Sequence, residues 1–467
     1  MRQFDLPPTS YLWYSQLFSS HAPSRRSYSP AARVIPYELD ISQNGVLLYN
    51  HPLHRFDDRR RRILAVACFG GKELTPRVAI VEAKRTPIGK FLGFFRHSSA
   101  VELGAKIVES VIERTGITPS QINELIFGNA RQAGNGPNPA RQIAHRAGIP
   151  KETPSFTVNM ACASGIKAIA LGVEAIVLGR ASCVVAGGTE NMTRAPFLLD
   201  RARLGYRLGN APLIDAMYRD GFDCPVADMV MGETAEVLAK EYNIPREEQD
   251  EWAAMSQNRV EAAQKNGRYA DEIIPVMAND DRGRPVVVET DEHPREGVTT
   301  AALAKLPPVF RKNGTITAGN ASGITDGAAA VILASEDFAK SLSIRPLAWI
   351  RDYVSVGVDA KRMGIGPVPA TRQILERNGL TLGDIPVVEL NEAFAAQVLA
   401  CQRELEFDAE KVNVNGGAIS LGHPVGATGA RIVVTLLHEM RRRDAELGLA
   451  TLCVSGGLGM ALLVERS

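Results

Sequence analysis

Residues 158–167, Val-Asn-Met-Ala-Cys-Ala-Ser-Gly-Ile-Lys, place Cys162 where an apolar strand hands over to a helix of small residues. Residues 155–160 read as the strand and 164–178 as the helix, small and aliphatic enough to be buried all round. A further strand, 183–186, ends on Gly187 and Gly188. The plan returns in residues 415–429, Asn-Gly-Gly-Ala-Ile-Ser-Leu-Gly-His-Pro-Val-Gly-Ala-Thr-Gly. A short strand at 412–414 precedes that loop, and a long helix, 426–441, follows it. Strand 450–454 then leads to Gly456 and Gly457. The glycine pairs start 22 residues after Gly165 and 27 after Gly429, a weak internal repeat that predicts a duplicated α/β unit.

Working outward, the alternation continues on both sides. Strands are predicted at 77–82, 124–128, 328–334, 347–356, 387–390 and 461–464, and helices at 101–114, 139–147, 370–378 and 392–405. Short strands alternating with helices argue for an α/β fold. Between about 194 and 325 the pattern loosens, with one clear amphipathic helix at 246–265, so this stretch reads as an inserted lobe. Residues 1–75 differ again: they hold Pro7, Pro8, Pro23, Pro30, Pro36 and Pro52, the basic run 59–62 and no helical period. They read as a disordered extension, and Asp5, Glu38, Asp40, Asp57 and Asp58 argue against a transit peptide.

Composition excludes several classes. With 467 residues the chain can hold about three domains. Net charge is 53 − 52 = +1, so it is no generic polyanion binder. No run of eighteen apolar residues suggests a membrane-spanning helix. Six scattered cysteines without a Cys-x-x-Cys pair exclude a disulfide framework or zinc ribbon and fit a reducing compartment.

Single cysteines then become candidates for chemistry. Cys162 stands where unpaired N–H groups at a helix start are expected to lower a thiol pKa, although a free cysteine also suits a small core position. His423, inside glycines that let a backbone approach a ligand, can take a thiol proton near neutral pH. No Gly-Lys-Ser/Thr follows, so the loop is not a phosphate loop. Cys453, in Cys-Val-Ser-Gly-Gly-Leu-Gly, suits an acid/base thiol beside an oxyanion pocket, or a core cysteine. Asn391, in Asn-Glu-Ala-Phe, is placed to cap a helix starting at Glu392. Residues 317–329, small and polar, suit a snug ligand channel.

These five blocks, in this order and spacing, resemble the thiolase family from about Arg77 to Glu465. The resemblance implies a duplicated five-layer αβαβα core, each half a mixed five-stranded sheet, with a loop domain inserted over the coenzyme A site. The implied division is 1–75 as extension, 76–193 plus 325–345 as the first half, 194–324 as the insert and 346–467 as the second half. Dimers or tetramers are implied, and residues 131–142 resemble the stretch near a tetramer-forming loop. By resemblance, Cys162 is the acylated nucleophile, His423 its base, Cys453 the thiol that moves the α-proton, and Asn391 the residue that fixes a water in one oxyanion hole. Backbone N–H groups of Cys162 and Ser455 form the other. Arg295, Ala318, Ser322, Phe310, Met363 and Phe394 match positions lining the coenzyme A and acyl pocket.

Departures from the pattern are Ser455 for Gly, Val230 for a pantetheine-contacting His, Thr325 for Asn and Ala302 for a coenzyme-contacting Ser. The implied reaction is the condensation of two acetyl-CoA to acetoacetyl-CoA and its reverse, an acetyl-CoA C-acetyltransferase without metal or redox cofactor, with coenzyme A thioesters as substrates. A broader-chain 3-ketoacyl-CoA thiolase of fatty-acid β-oxidation has the same catalytic set. A β-ketoacyl synthase would want a second His where Asn391 stands, and an inactive lipid-binding or scaffold relative would have lost a catalytic residue. No nucleic-acid partner or membrane span is expected, and the location expected is cytoplasmic, or mitochondrial if 1–75 hold a transit peptide.

Overall fold

The computed structural model describes residues 76–467 apart from Asp281; the reading of residues 1–75 lies outside the described residues. In the first half, β1 (Val78–Arg85), α1 (Ala100–Thr115), β2 (Glu124–Gly128), α2 (Pro139–Arg146), β3 (Ser155–Val158), α3 (Ser164–Val177) and β4 (Cys183–Asn191) follow in order. Local chemistry sets their ends. Ser99 and Glu102 close a capping box on α1, and Gly116, at φ +72°, stops it.

After β4 the chain leaves the sheet and forms α4 (Met231–Glu241), α5 (Arg246–Lys265) and a small hairpin, Val276–Asn279 with Pro285–Val288. It returns through β5 (Thr325–Ser335). The rest is β6 (Ala348–Gly357), α6 (Pro367–Arg377), β7 (Val387–Leu390), α7 (Ala395–Leu405), α8 (Val425–Arg443), β8 (Leu447–Val454) and β9 (Leu458–Arg466).

Strand order repeats between the halves. One sheet of ten strands runs β7-β8-β9-β6-β1-β5-β4-β2-β3, with the two-residue strand Gly89–Lys90 paired to β5. In the first half β3-β2-β4 are parallel and β4-β5-β1 antiparallel. In the second, β7-β8 are parallel and β8-β9-β6 antiparallel. The halves join where Val78–Ile80 of β1 pair with Ala348–Ile350 of β6.

Layering follows from the period of two along each strand. Val184, Ala186, Val331 and Leu333 of the first half, with Ala450, Leu452, Leu462 and Val464 of the second, pack on α3 and α8 in one central core. The alternate residues Val185, Ala330 and Ile332 face α1 and α2. Leu449, Ala461 and Leu463 face α6 and α7. The sequence α, β, α, β, α of layers results.

Three sequence expectations change. The strand expected at 412–414 reduces to one parallel bridge, Val388 to Val412. Asn413 there adopts φ +48°, and its side chain takes over the ladder: Leu390 N–H donates to its Oδ1 at 2.9 Å, and its Nδ2 donates to the Leu390 carbonyl at 2.7 Å. Helix α7 starts at Ala395, not Glu392, because Phe394 stays extended and bridges Ala321. Strand β4 runs on through Gly187 and Gly188 instead of ending before them. A Cβ on Gly188 would lie 2.0 Å from the Gly426 carbonyl, so the glycine marks a close approach between the halves. Among the described residues no helix is long and apolar enough to cross a membrane.

Candidate active site

A tight turn, not the helix itself, presents Cys162. Ala161–Ala163 form one 3-10 turn ahead of α3. Ala161 sits at φ +44°, a left-handed conformation that costs an L-residue about 1–2 kcal/mol. Two polar contacts hold it: Ala161 N–H donates to Asn159 Oδ1 at 3.0 Å, and Ser164 Oγ donates to the Ala161 carbonyl at 2.6 Å. The thiol is half-buried and lines a cavity of about 790 Å³.

His423 reaches the same cavity from the second half, with Nε2 3.3 Å from Cys162 Sγ. Its Nδ1 lies 2.6 Å from Thr428 Oγ1, which in turn lies 3.0 Å from the Pro424 carbonyl. That carbonyl can only accept, so the Thr428 proton goes to it and the hydroxyl oxygen accepts from Nδ1–H. The network thus assigns a tautomer whose Nε2 lone pair faces the thiol. Such a pair can move a proton from sulfur to imidazole.

Burial sets the resting charges. It pushes His423 down to about 3, with the Arg431 and Arg131 charges adding to the effect. It pushes the Cys162 thiol up, against the Arg131 charge and the backbone N–H groups of Ser455 and Cys162. The resting pair is therefore neutral thiol and neutral imidazole. A thiolate lowered by the helix start is not what forms, because desolvation outweighs the donors. Those two N–H groups are the ones expected in an oxyanion hole, and both favour a charged Cys162 sulfur.

Cys453 lies on β8, fully buried at its own surface yet part of the cavity wall. Burial pushes its thiol well above the ordinary value, and the neighbouring Cys162 adds to this. Cys183 and Cys401, each pushed to about 12 by burial, lie outside the cavity lining. Ser455 lines the cavity and lies outside the left-handed region, so serine in place of glycine brings no strain there.

Asn391 is buried and lies outside the cavity lining, one residue past β7, where its N–H donates to the Thr451 carbonyl at 3.0 Å. It caps nothing: α7 begins four residues later. Both its amide atoms, Nδ2 and Oδ1, are buried without a partner among the described residues. Glu392 beside it is the reverse case, accepting from Trp252, Ser256, Asn413 and the Ile419 N–H.

Arg295, Ala318, Ser322, Phe310, Met363 and Phe394 all line the cavity, as do Thr317 and Gly323 of the small polar stretch. Phe310 and Phe394 meet edge-on with ring centroids 6.2 Å apart, and both pack with Met363 and Cys453. Val230 is also in the lining. Thr325 is buried against Gly422, where a Cβ would meet its side chain at 2.2 Å, and Ala302 is exposed on the short helix Thr300–Leu303; neither lines the cavity.

Two family models cover the described chain: the thiolase N-terminal domain matches residues 78–337 and the thiolase C-terminal domain 344–466. The chain belongs to the thiolase family. An acetyl-CoA acetyltransferase of Cupriavidus necator is 52% identical over 389 residues, 83% of this chain and 99% of that protein. A crystal structure of the Bacillus anthracis acetyl-CoA acetyltransferase matches with a TM-score of 0.82 at 43% identity, covering 85% of this chain and all of the other. The human mitochondrial 3-ketoacyl-CoA thiolase structure matches with the same TM-score at 41% identity, covering 84% and 100%.

Residues that sequence reasoning passed over also surround the site of this thiolase. Thr428 stood inside the quoted histidine block without a role. Glu190, just beyond the Gly187–Gly188 pair, is fully buried and accepts from the N–H groups of Ala130, Arg131 and Gly426 and from Asn129 Nδ2. It thereby ties the first half to the start of α8, which carries the His423 loop. Arg131 lines the cavity beside the thiol. The glycines of 415–429 proved to serve packing more than ligand approach: a Cβ on Gly426 would meet the Thr189 carbonyl at 2.7 Å, and one on Gly429 the Ile166 nitrogen at 2.5 Å.

Proposed function

We propose that this thiolase is an acetyl-CoA C-acetyltransferase, condensing two acetyl-CoA to acetoacetyl-CoA and cleaving it in reverse, with Cys162 carrying the acetyl group. The observation that carries the reading is the Cys162–His423 contact, with Cys453 on the same cavity wall. His423 Nε2 takes the thiol proton as the sulfur attacks the acetyl carbonyl. The bond from that carbonyl to the coenzyme A sulfur breaks, and Cys453 gives its proton to the departing thiolate. The Cys453 thiolate, made a strong base by its burial, then removes the α-proton of a second acetyl-CoA. The carbanion attacks the acetyl group, Cys162 sulfur leaves, and the imidazolium returns its proton.

Negative charge develops on carbonyl oxygens in both steps. N–H groups of Cys162 and Ser455 serve one oxyanion, and Asn391, through a water, with His423 serves the other. One such donor is worth about 2.7–4 kcal/mol. Coenzyme A enters past Arg295, Ala318 and Ser322 under the lobe at 194–324, while Phe310, Met363 and Phe394 close the acyl end. No metal or redox cofactor enters these steps. Reduced thiols fit a cytoplasmic location. A homodimer or homotetramer belongs to the same reading: Phe156 on β3, at the end of the sheet, is exposed, as are Phe197, Leu204, Leu208 and Leu213, surfaces a second copy would cover.

The test is kcat/KM for thiolysis of four-, six-, ten- and sixteen-carbon 3-ketoacyl-CoA. The aromatic acyl end predicts the four-carbon substrate to be preferred, by about tenfold or more for each misfit costing 1.4 kcal/mol. Rates rising with chain length would support the broader 3-ketoacyl-CoA thiolase instead.

A further inference from the structure

Three cations line the cavity: Lys90, Arg131 and Arg295. Lys90 faces Glu292 at 3.4 Å. The Arg131 and Arg295 guanidiniums make no hydrogen bond or ion pair among the described residues, and the Arg131 Nε is in addition buried without a partner. The Arg131 guanidinium occupies the space beside Gly221, where a Cβ would come within 2.5 Å of Nε and 2.7 Å of Cζ. Gly221 belongs to the turn Tyr218–Phe222, whose residues Tyr218 and Phe222 also line the cavity. The absence of a side chain at Gly221 thus leaves room for the guanidinium.

Glu190 is the matching oddity. Its carboxylate, wholly buried, is bound only by neutral donors: three backbone N–H groups and the Asn129 amide. Burial pushes the Glu190 carboxyl above its ordinary value, against the Arg131 charge and the N–H groups of Arg131, Gly426 and Ala130; when ionised it works against ionisation of Cys162, and the Arg131 charge works for it. The other titratable groups at the sulfur are His423, from the loop before α8, and Cys453, on β8; Arg431 acts on His423 from within α8.

We propose that Arg131 is a positioning residue for the nucleophile: its unpaired guanidinium offsets the buried Glu190 and eases the ionisation of the Cys162 sulfur that burial opposes. It touches no reacting atom; it acts through the field in a site where low dielectric makes one charge count. The proposal rests on Cys162 as the nucleophile, but its test reads the thiol without turnover.

The test is the pH dependence of iodoacetamide alkylation at Cys162, followed by peptide mass spectrometry, in wild type, Arg131→Gln, Arg131→Lys and Gly221→Ala. In Arg131→Gln the midpoint should rise by about one unit, so alkylation below it slows about tenfold. Arg131→Lys should recover most of the wild-type profile, since the charge returns without the planar shape. Gly221→Ala should shift the midpoint the same way by less, because the added methyl displaces the guanidinium and leaves its charge. With acetyl-CoA, KM should stay while the acetylation rate falls in step with alkylation. An unchanged midpoint in Arg131→Gln, or Arg131→Lys matching Arg131→Gln, would overturn the proposal; either would leave the acyl-transfer reading standing.

Discussion

Asn129 and Asn391 stand at the same place in the two halves, each one residue past the second strand of its half in chain order. The Asn129 amide donates to the Thr189 carbonyl at 3.1 Å and to Glu190 at 2.7 Å. The Asn129 Oδ1 is buried without a partner among the described residues, and in Asn391 both amide atoms are. Their neighbours differ in the same sense. Gly128 pairs with Gly188 and Leu390 with Thr451, so Glu190 and Cys453 are equivalent, each two residues further along. In the first half that position holds a fully bonded carboxylate; in the second it holds a thiol on the cavity wall. Ahead of the two central helices stand Cys162 and His423. The duplication thus brings two equivalent loops face to face: the first half ties the Asn129 amide nitrogen to Glu190, and the second leaves the Asn391 amide unpartnered and sets Cys453 on the cavity wall. An unsatisfied buried amide costs about 1–3 kcal/mol unless something else meets it, so Asn391 is the costlier of the two asparagines to keep.

The comparison can be broken most sharply at Cys453. Cys453→Ser should lower condensation by about 10³-fold, since a hydroxyl is a poor base and positioned acid/base groups contribute about 10²–10⁴. Acetylation from acetyl-CoA in a single turnover should fall far less. Equal loss in both half-reactions would remove the division of labour between the thiols.

The asparagines come next. Asn391→Ala should reduce kcat by about 10²-fold, the size of one oxyanion donor, with little change in melting temperature, because no protein bond is lost. Asn129→Ala should do the opposite: stability falls by about 1–3 kcal/mol as Glu190 loses a donor, and the folded enzyme keeps most of its turnover. Matching phenotypes at the two sites would erase the contrast.

A smaller effect concerns pH. His423 is held at about 3 by burial, below the ordinary value of 6.5, so it stays an acceptor across neutral and mildly acidic pH. Acetylation should therefore show no loss centred on pH 6.5, measured by rapid quench from pH 5 to 8. The linkage has a definite sign: the folded state binds fewer protons here than the unfolded chain. The contribution of His423 to stability is whole above pH 6.5 and is lost as pH falls toward 3. In His423→Asn the acid side of the stability profile should be flatter, as read by urea midpoints.

Much of this was legible in the residues. Cys162, His423 and Cys453 each sit in a contiguous block of small residues, so their setting shows locally. What escaped was chemistry spread along the chain. Asn391 looked like a helix cap, because Asn before an apolar run is a cap signal; Glu392 is instead taken up by four donors and the helix waits until Ala395. Helix α4 was missed although Met231, Ala235, Leu238 and Ala239 keep helical spacing. Gly232 interrupts that stretch because the Phe310 ring lies where its Cβ would be, 2.3 Å away. The setting of Glu190 and Arg131 depends on contacts between segments that no spacing in the sequence encodes.

The central claim is that two thiols on one cavity wall do different work. Brief incubation of Cys453→Ser with acetyl-CoA, acid quench and peptide mass spectrometry tests it directly. The account predicts an added acetyl group on Cys162 alone, persisting because the second half-reaction is blocked. Acetyl on any other residue, with Cys162 unmodified, would contradict it.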